Sequence, residues 1–194
     1  MIRVLMAIGL MVAMMAPVHV RAAEGETPAR AEHASQLAIQ FQRLLTANKR
    51  ANAIMAEQEI WRLWFIGETE AETERLAEAS MVMQQGGLAE AVALLVDLTG
   101  EFPMFAEARN QLAFARFLLG DLQGSLDDIE KVLALEPRHF GALAGRARIE
   151  ATLGQLEAAQ LTMGQVGAIH PWMARLSPIR PNPPPPPPPE VREL

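Results

Sequence analysis

Apolar residues recur along the middle of the chain at helical spacing, and the whole pattern repeats every 34 residues. Three glycines and three prolines keep this register, each proline 17 residues after its glycine: Gly86, Gly120, Gly154, Pro103, Pro137 and Pro171. Glycine lacks Cβ and suits a turn between two helices, whereas proline cannot donate to a continuing helix. Three helix-turn-helix units are therefore predicted, over residues 72–105, 106–139 and 140–173.

Equivalent positions in the three units carry side chains of similar size. Small residues recur where the two helices of a unit must cross closely: Ala79, Ala113, Ala147, Ala91, Ser125 and Ala159. Large apolar residues recur beside them: Leu88, Leu122, Leu156, Leu95, Ile129, Met163, Leu98, Val132 and Val166. A small residue lets two backbones approach, and large residues fill the adjoining space. The pattern predicts an all-α fold, an α-solenoid of stacked helix pairs.

Residues 23–71 are predicted to add N-terminal helices. Thr27-Pro28 is a helix start, and Thr69 with Glu72 forms a capping box for the next helix after Gly67. Two apolar stripes lie between these signals: Leu37, Phe41, Leu44 and Leu45, then Ile54, Met55, Trp61, Trp64 and Phe65. One interpretation is a degenerate fourth repeat with its packing positions at Leu45, Ile54, Trp61 and Trp64.

The two ends of the chain differ in composition from the repeats. Residues 1–22 combine a basic start, an apolar run and the small-residue site Val20-Arg21-Ala22, which predicts a secretory signal, with an uncleaved anchor as the alternative. Residues 174–194 are predicted to form a short cap followed by a disordered proline-rich tail. Pro183 to Pro189 are consecutive prolines, which favour a polyproline II rod of roughly 20 Å.

Charge and composition exclude several classes of partner and chemistry. The net charge is −6, and it becomes −8 if Arg3 and Arg21 leave with the signal. An acidic chain with two lysines argues against nucleic-acid binding, because phosphate contacts require clustered Lys and Arg. The absence of cysteine excludes disulfides, thiolate metal ligands and a cysteine nucleophile.

Candidate catalytic residues are few, so we expect no enzyme, no cofactor, no metal site and no small-molecule substrate. His33, His139 and His170 show no metal-ligand spacing on one helix. We expect His139 and His170, which lie at repeat-closing turns, to pack or cap helices. The acid pairs Asp127-Asp128 and Glu70-Glu72 are expected on solvated helix faces.

Residues 72–173 resemble the tetratricopeptide repeat, whose 34-residue unit has small residues at its eighth and twentieth places and proline at its thirty-second. The middle copy carries Leu112, Ala113, Leu119-Gly120-Asp121-Leu122 and Leu133-Ala134-Leu135-Glu136-Pro137. In the third copy, Gly164 and Gly167 are expected to make the second helix fray. The runs Ile60 to Trp64 and Leu135 to Leu143 are also similar to exported tetratricopeptide proteins of proteobacteria to which no reaction is assigned.

The resemblance implies a concave groove, lined by the first helix of each pair, that receives a peptide or helix. The groove positions, carried over residue by residue, are Leu76, Ser80, Met83, Asn110, Phe114, Phe117, Ala144, Arg148 and Ala151. For Phe114 and Phe117, burial in the core is the alternative. We expect a periplasmic or secreted adaptor or scaffold with a protein partner and no stable membrane insertion after signal cleavage. The alternative is an accessory subunit of a larger envelope assembly.

Overall fold

The computed structural model describes residues 27–176 and residue 179, and this part of the chain is built of α-helices without strands. Its helices are α1 (Pro28–Thr46), α2 (Arg50–Phe65), α3 (Glu70–Gln84), α4 (Leu88–Glu101), α5 (Ala106–Leu118), α6 (Leu122–Leu135), α7 (Phe140–Thr152), α8 (Leu156–Ile169) and α9 (Pro171–Leu176). The predicted signal, residues 1–22, and the proline run lie outside the described residues. None of the described helices is long and apolar enough to cross a membrane.

Three successive helix pairs, α3 with α4, α5 with α6 and α7 with α8, form the repeated body. The second helices begin at Leu88, Leu122 and Leu156, and each follows the previous one by 34 residues. All six predicted small residues are buried where paired helices meet, and the large residues after the first leucine of each second helix are buried beside them. These helix pairs confirm the prediction of an all-α solenoid. Small residues opposite large ones at the crossings hold the two helices of each pair together.

The turns within the pairs depend on glycine, as the register predicts. Gly86, Gly120 and Gly154 have φ angles of 88°, 83° and 75°. Residues with a Cβ rarely adopt this left-handed conformation, so glycine ends each first helix at little steric cost. Each second helix ends two residues before its proline, which fixes the length of the unit.

Side-chain caps define several helix starts. The Thr27 hydroxyl accepts a hydrogen bond from the Arg30 amide, and Pro28 begins α1. The Thr69 hydroxyl accepts from the Glu72 amide at 3.2 Å, while the Glu72 carboxylate accepts from the Thr69 amide at 2.6 Å. Both predicted starts are confirmed. Glu72 is buried by this capping box, so the expectation that it lies on a solvated face is wrong.

The N-terminal helix pair has a register different from that of the repeats. Its buried face consists of Leu37, Phe41, Leu44, Ala53, Ala56, Ile60, Leu63 and Trp64. Leu45, Ile54 and Met55 are exposed, so the interpretation that placed Leu45 and Ile54 at repeat packing positions is wrong. Ala53 and Ala56 provide the close approach in α2, and Ile54 and Met55, which lie between them, face outward.

A buried carboxylate ties α5 to α6. Asp128 was expected on a solvated face, but its Oδ1 lies 3.2 Å from Arg109 Nη1 and its Oδ2 lies 2.5 Å from Arg116 Nη1. Its side chain is almost completely buried, whereas the neighbouring Asp127 is exposed. The expectation for Asp128 is wrong because two arginines of the preceding helix supply its counter-charges.

Candidate functional site

The N-terminal helix pair packs against the first helices of the second and third repeats and against the C-terminal helices. Helix α2 contacts α5, and α1 contacts α8. This packing places α2 opposite the side-by-side first helices α5 and α7, with α9 at one end. A cavity of about 670 Å³ remains between them.

One glycine permits the close approach of α2 to α7. Gly141 lies in the first turn of α7, and a Cβ built at this position would overlap the Trp61 ring. The Trp61 ring also meets Phe140 edge-on, with ring centroids 5.2 Å apart. Trp61 therefore occupies space that any residue other than glycine at 141 would fill.

A second tryptophan joins α2 to the start of α7. The rings of Trp64 and His139 are stacked, with centroids 4.0 Å apart and planes inclined by 8°. Phe140 contacts Trp64 at 5.0 Å and Phe41 of α1 at 6.4 Å. These rings form one cluster that unites the N-terminal pair with the third repeat.

The two buried histidines cap helices, and each faces a glutamate on another helix. His139 Nδ1 accepts a hydrogen bond from the Ala142 amide, and Nε2 lies 3.0 Å from Glu107 Oε2. His170 Nδ1 accepts from the Met173 amide, and Nε2 lies 3.3 Å from Glu57 Oε2. Because each Nδ1 accepts an amide hydrogen, each Nε2 carries the ring proton. The Nε2 of His139 is hydrogen-bonded to Glu107, whereas the buried Nε2 of His170 lies near Glu57 but makes no hydrogen bond among the described residues.

Helix α9 closes one end of the cavity and is attached to the N-terminal pair. The Trp172 indole donates a hydrogen bond from Nε1 to the Ala47 carbonyl, 3.1 Å away, in the loop between α1 and α2. Trp172, Met173, Leu176 and Ile179 all line the cavity. This contact between distant parts of the chain makes the cavity a feature of the whole fold rather than of one repeat.

The predicted groove residues of the second and third repeats all reach the cavity, apart from Ala151. The residues concerned are Asn110, Phe114, Phe117, Ala144 and Arg148. Phe114 is 48% exposed and Phe117 is partly buried, so the alternative that both are core residues is excluded for Phe114. The structure therefore brings together an amide, aromatic rings and a guanidinium group on one wall.

The predicted groove residues of the first repeat lie elsewhere. Leu76 is fully buried in a core cluster with Leu95 and Leu98 and has no surface to offer a ligand. Met83 packs against that same cluster, and the Ser80 hydroxyl is buried without a hydrogen-bond partner among the described residues. These three positions do not line the cavity, because α2 meets α5 and α7 and leaves the α3 positions outside it.

Several cavity residues were not among the predicted groove positions. Arg50, Ile54 and Glu57 come from α2, and Trp172 and Met173 come from α9. The predicted groove positions all lie on the first helices of the three repeats, so the repeat pattern did not place these side chains in the cavity. Ile54, a large apolar side chain that is exposed on α2, is the signal that could have indicated this part of the cavity.

The cavity has two arginines without ion-pair partners among residues 27–176 and 179. Arg50 and Arg148 both line it, whereas the nearest acid, Glu57, faces His170. On α2, outside the cavity, the Arg62 guanidinium donates hydrogen bonds to Glu59 and lowers the pKa of that carboxyl group. The described residues contain no cluster of His, Cys, Asp or Glu suited to hold a metal ion.

The chain matches no protein-family model. It is 48% identical over 52 residues to a TPR repeat-containing protein of Rhizobium etli; the match covers 27% of this chain and 26% of that relative. Among solved structures, a mutant of MamA has a TM-score of 0.47 at 16% identity, covering 71% of this chain and 96% of that one. Over those 52 residues the chain is therefore similar to a tetratricopeptide-repeat protein, and its helix pairs recur with the 34-residue register of the left-handed glycines.

Proposed function

We propose that the protein is an exported adaptor or scaffold, without catalytic activity, that holds a peptide or helix of a partner envelope protein. The observation that carries the proposal is the cavity wall formed by α5 and α7. Phe114 is half exposed there, next to Asn110 and Arg148. A large aromatic side chain left open beside polar groups is typical of a recognition surface.

The three side chains suit a polypeptide ligand. Asn110 Nδ2 is directed to Glu107, which leaves its Oδ1 to accept a hydrogen bond from a ligand amide. Phe114 and Phe117 offer apolar area for a ligand side chain, and Arg148 offers a guanidinium group for a carboxylate. An apolar segment that carries an acidic residue is the ligand that this arrangement favours.

A photo-reactive residue placed in the cavity tests this function. We expect benzoyl-phenylalanine at position 114 of the full-length chain to crosslink one discrete partner in cells. The matched control position is Leu161, which is 74% exposed on α8 and lies outside the cavity. Adding Asn110→Ala and Arg148→Ala should reduce the crosslink at position 114 severalfold, and an unchanged yield would reject the cavity as the binding site.

The same experiment addresses the alternative, an accessory subunit that joins a larger assembly through its outer face. Leu153, Leu156 and Leu161 are exposed around the turn between α7 and α8 and along α8, which favours this alternative as the second candidate. A crosslink at position 161 without one at position 114 would support the accessory role and contradict the cavity.

Export and the lack of catalysis are part of the proposal. The apolar run and the cleavage site in residues 1–22 support export, and both buried histidines serve as helix caps. Cell fractionation with N-terminal sequencing should recover a periplasmic or secreted chain that begins at Ala23. Recovery in the cytoplasm with residues 1–22 intact would contradict export.

A further inference from the structure

We infer that the proline-rich segment of this chain, residues 180–194, binds in the cavity of its own molecule and competes with the partner. The inference rests on the proposed function, since it concerns the same cavity. Leu176, the last residue of α9, and Ile179 both line the cavity. The segment therefore begins at the site that it is proposed to occupy.

The reach of the segment is sufficient. Arg180, Pro181 and Asn182 separate Ile179 from the proline run and span at most about 10 Å when extended. A polyproline II helix of the seven prolines that follow would extend a further 20 Å or so. The first prolines can thus enter the cavity directly, and the remainder can cross it.

The cavity walls have the chemistry that polyproline requires. Proline-rich ligands bind grooves lined by aromatic rings, against which the pyrrolidine rings pack with little loss of conformational entropy. Four aromatic residues from three different helices line this cavity: Trp61, Phe114, Phe117 and Trp172. The indole hydrogen of Trp172 is already bonded to the Ala47 carbonyl, which holds this side chain in a fixed position.

Charge complementarity adds a second contact. Glu190 follows the last proline directly, and Arg50 and Arg148 line the cavity without ion-pair partners among the described residues. A carboxylate brought to the rim by the rod would meet one of these guanidinium groups. We expect this contact to contribute less than the aromatic packing because both arginines are exposed.

Attachment makes a weak internal ligand effective. A short tether gives an effective concentration of about 1 mM, so a segment with an intrinsic dissociation constant of about 100 μM would fill the cavity in about nine molecules of ten. A partner would then bind about tenfold more weakly than it binds an empty cavity. The segment would therefore raise the partner concentration that is needed to fill the cavity.

Photo-crosslinking of the purified full-length chain, without any partner, tests the inference. With benzoyl-phenylalanine at position 114, mass spectrometry should find an intramolecular crosslink to residues 180–194. The control position 161 should give none. Replacing Pro183 to Pro189 by seven serines should reduce the crosslink at position 114 at least fivefold, and circular dichroism should show unchanged helix content.

The other outcomes contradict the inference. A crosslink that reaches the segment of a second copy and disappears on dilution would mean that the segment binds between molecules. Absence of any crosslink to residues 180–194, in a folded chain whose position 114 reacts with an added aromatic probe, would mean that the cavity is not occupied internally. Either result leaves the proposed function standing, because the partner is not present in this experiment.

Discussion

Trp64 of α2 lies stacked on His139, the residue that caps α7, with the two ring planes nearly parallel. The same imidazole hydrogen-bonds to Glu107 of α5 through its other edge. One ring therefore connects three helices that are far apart in the sequence. The N-terminal pair thus shares a core with the second and third repeats, whereas a further stacked repeat would contact only its sequence neighbour.

We expect Trp64→Ala to lower the free energy of unfolding by about 3 to 5 kcal/mol, the usual cost of truncating a buried aromatic residue. Trp64→Phe should cost much less, because the Trp64 Nε1 makes no hydrogen bond among the described residues and the ring face is retained. Urea unfolding followed by circular dichroism measures both. Equal losses for the two variants would show that the stacking on His139 does not matter.

Gly141→Ala tests the close approach of α2 and α7. A Cβ at 141 would overlap the Trp61 ring, so we expect a loss of about 1 to 3 kcal/mol, as for other overpacked sites. Gly145→Ala is the matched control on the same helix, since its Cβ would lie 3.6 Å from Ile129 in ordinary contact. There the higher helix propensity of alanine should stabilise the protein by up to about 1 kcal/mol.

Opposite signs for the two glycine variants in thermal unfolding would support this arrangement of α2. If Gly141→Ala is as stable as Gly145→Ala, the Trp61 ring does not occupy the space beside α7. Tryptophan fluorescence should also change in Gly141→Ala alone, because only that substitution displaces Trp61.

The repeated body could be predicted from the sequence because its determinants are local and occur three times. In the unit 106–139, for example, Gly120 indicates the turn, and Ala113 and Ser125 indicate where the two helices cross. Copies of the unit can be compared with one another in a single sequence. The buried small residues and the left-handed glycines agree with that prediction.

The cavity could be predicted only in part. The wall that α2 and α9 contribute depends on contacts between residues that are distant in the sequence. Nothing near Gly141 in the sequence indicates that it makes room for Trp61. The first-repeat positions failed for the same reason: Leu76 matches the groove pattern, but the wall opposite is α2, which faces α5 and α7 instead. Asp128 was misplaced because its arginine partners lie on the preceding helix.

The capping box of α3 should be measurable on its own. Thr69→Ala removes the oxygen that accepts the Glu72 amide, and we expect a loss of about 1 kcal/mol. Thr69→Ser keeps that oxygen and should fall within about 0.5 kcal/mol of the original chain. Amide hydrogen exchange should speed up most at the first turn of α3 in the alanine variant, and uniform protection there would contradict the assignment of the cap.

Asp128 and Asp127 form a matched pair of adjacent acids on α6, one buried and one exposed. Asp128→Ala would leave the guanidinium groups of Arg109 and Arg116 without their shared carboxylate, so we expect a loss of about 3 kcal/mol. Asp127→Ala removes only an exposed hydrogen bond from Gln123 and should change stability by less than about 0.5 kcal/mol.

Asp128→Asn separates the charge from the shape of that buried side chain. The amide keeps an oxygen that can accept from Arg116 but loses the negative charge, so its cost should lie between those of the alanine variants at 127 and 128. Urea unfolding at low and high salt provides the measurement, because a contact this well buried is screened weakly by ions. A loss for Asp128→Ala that vanishes in 1 M salt would place the carboxylate at the surface, contrary to the structure.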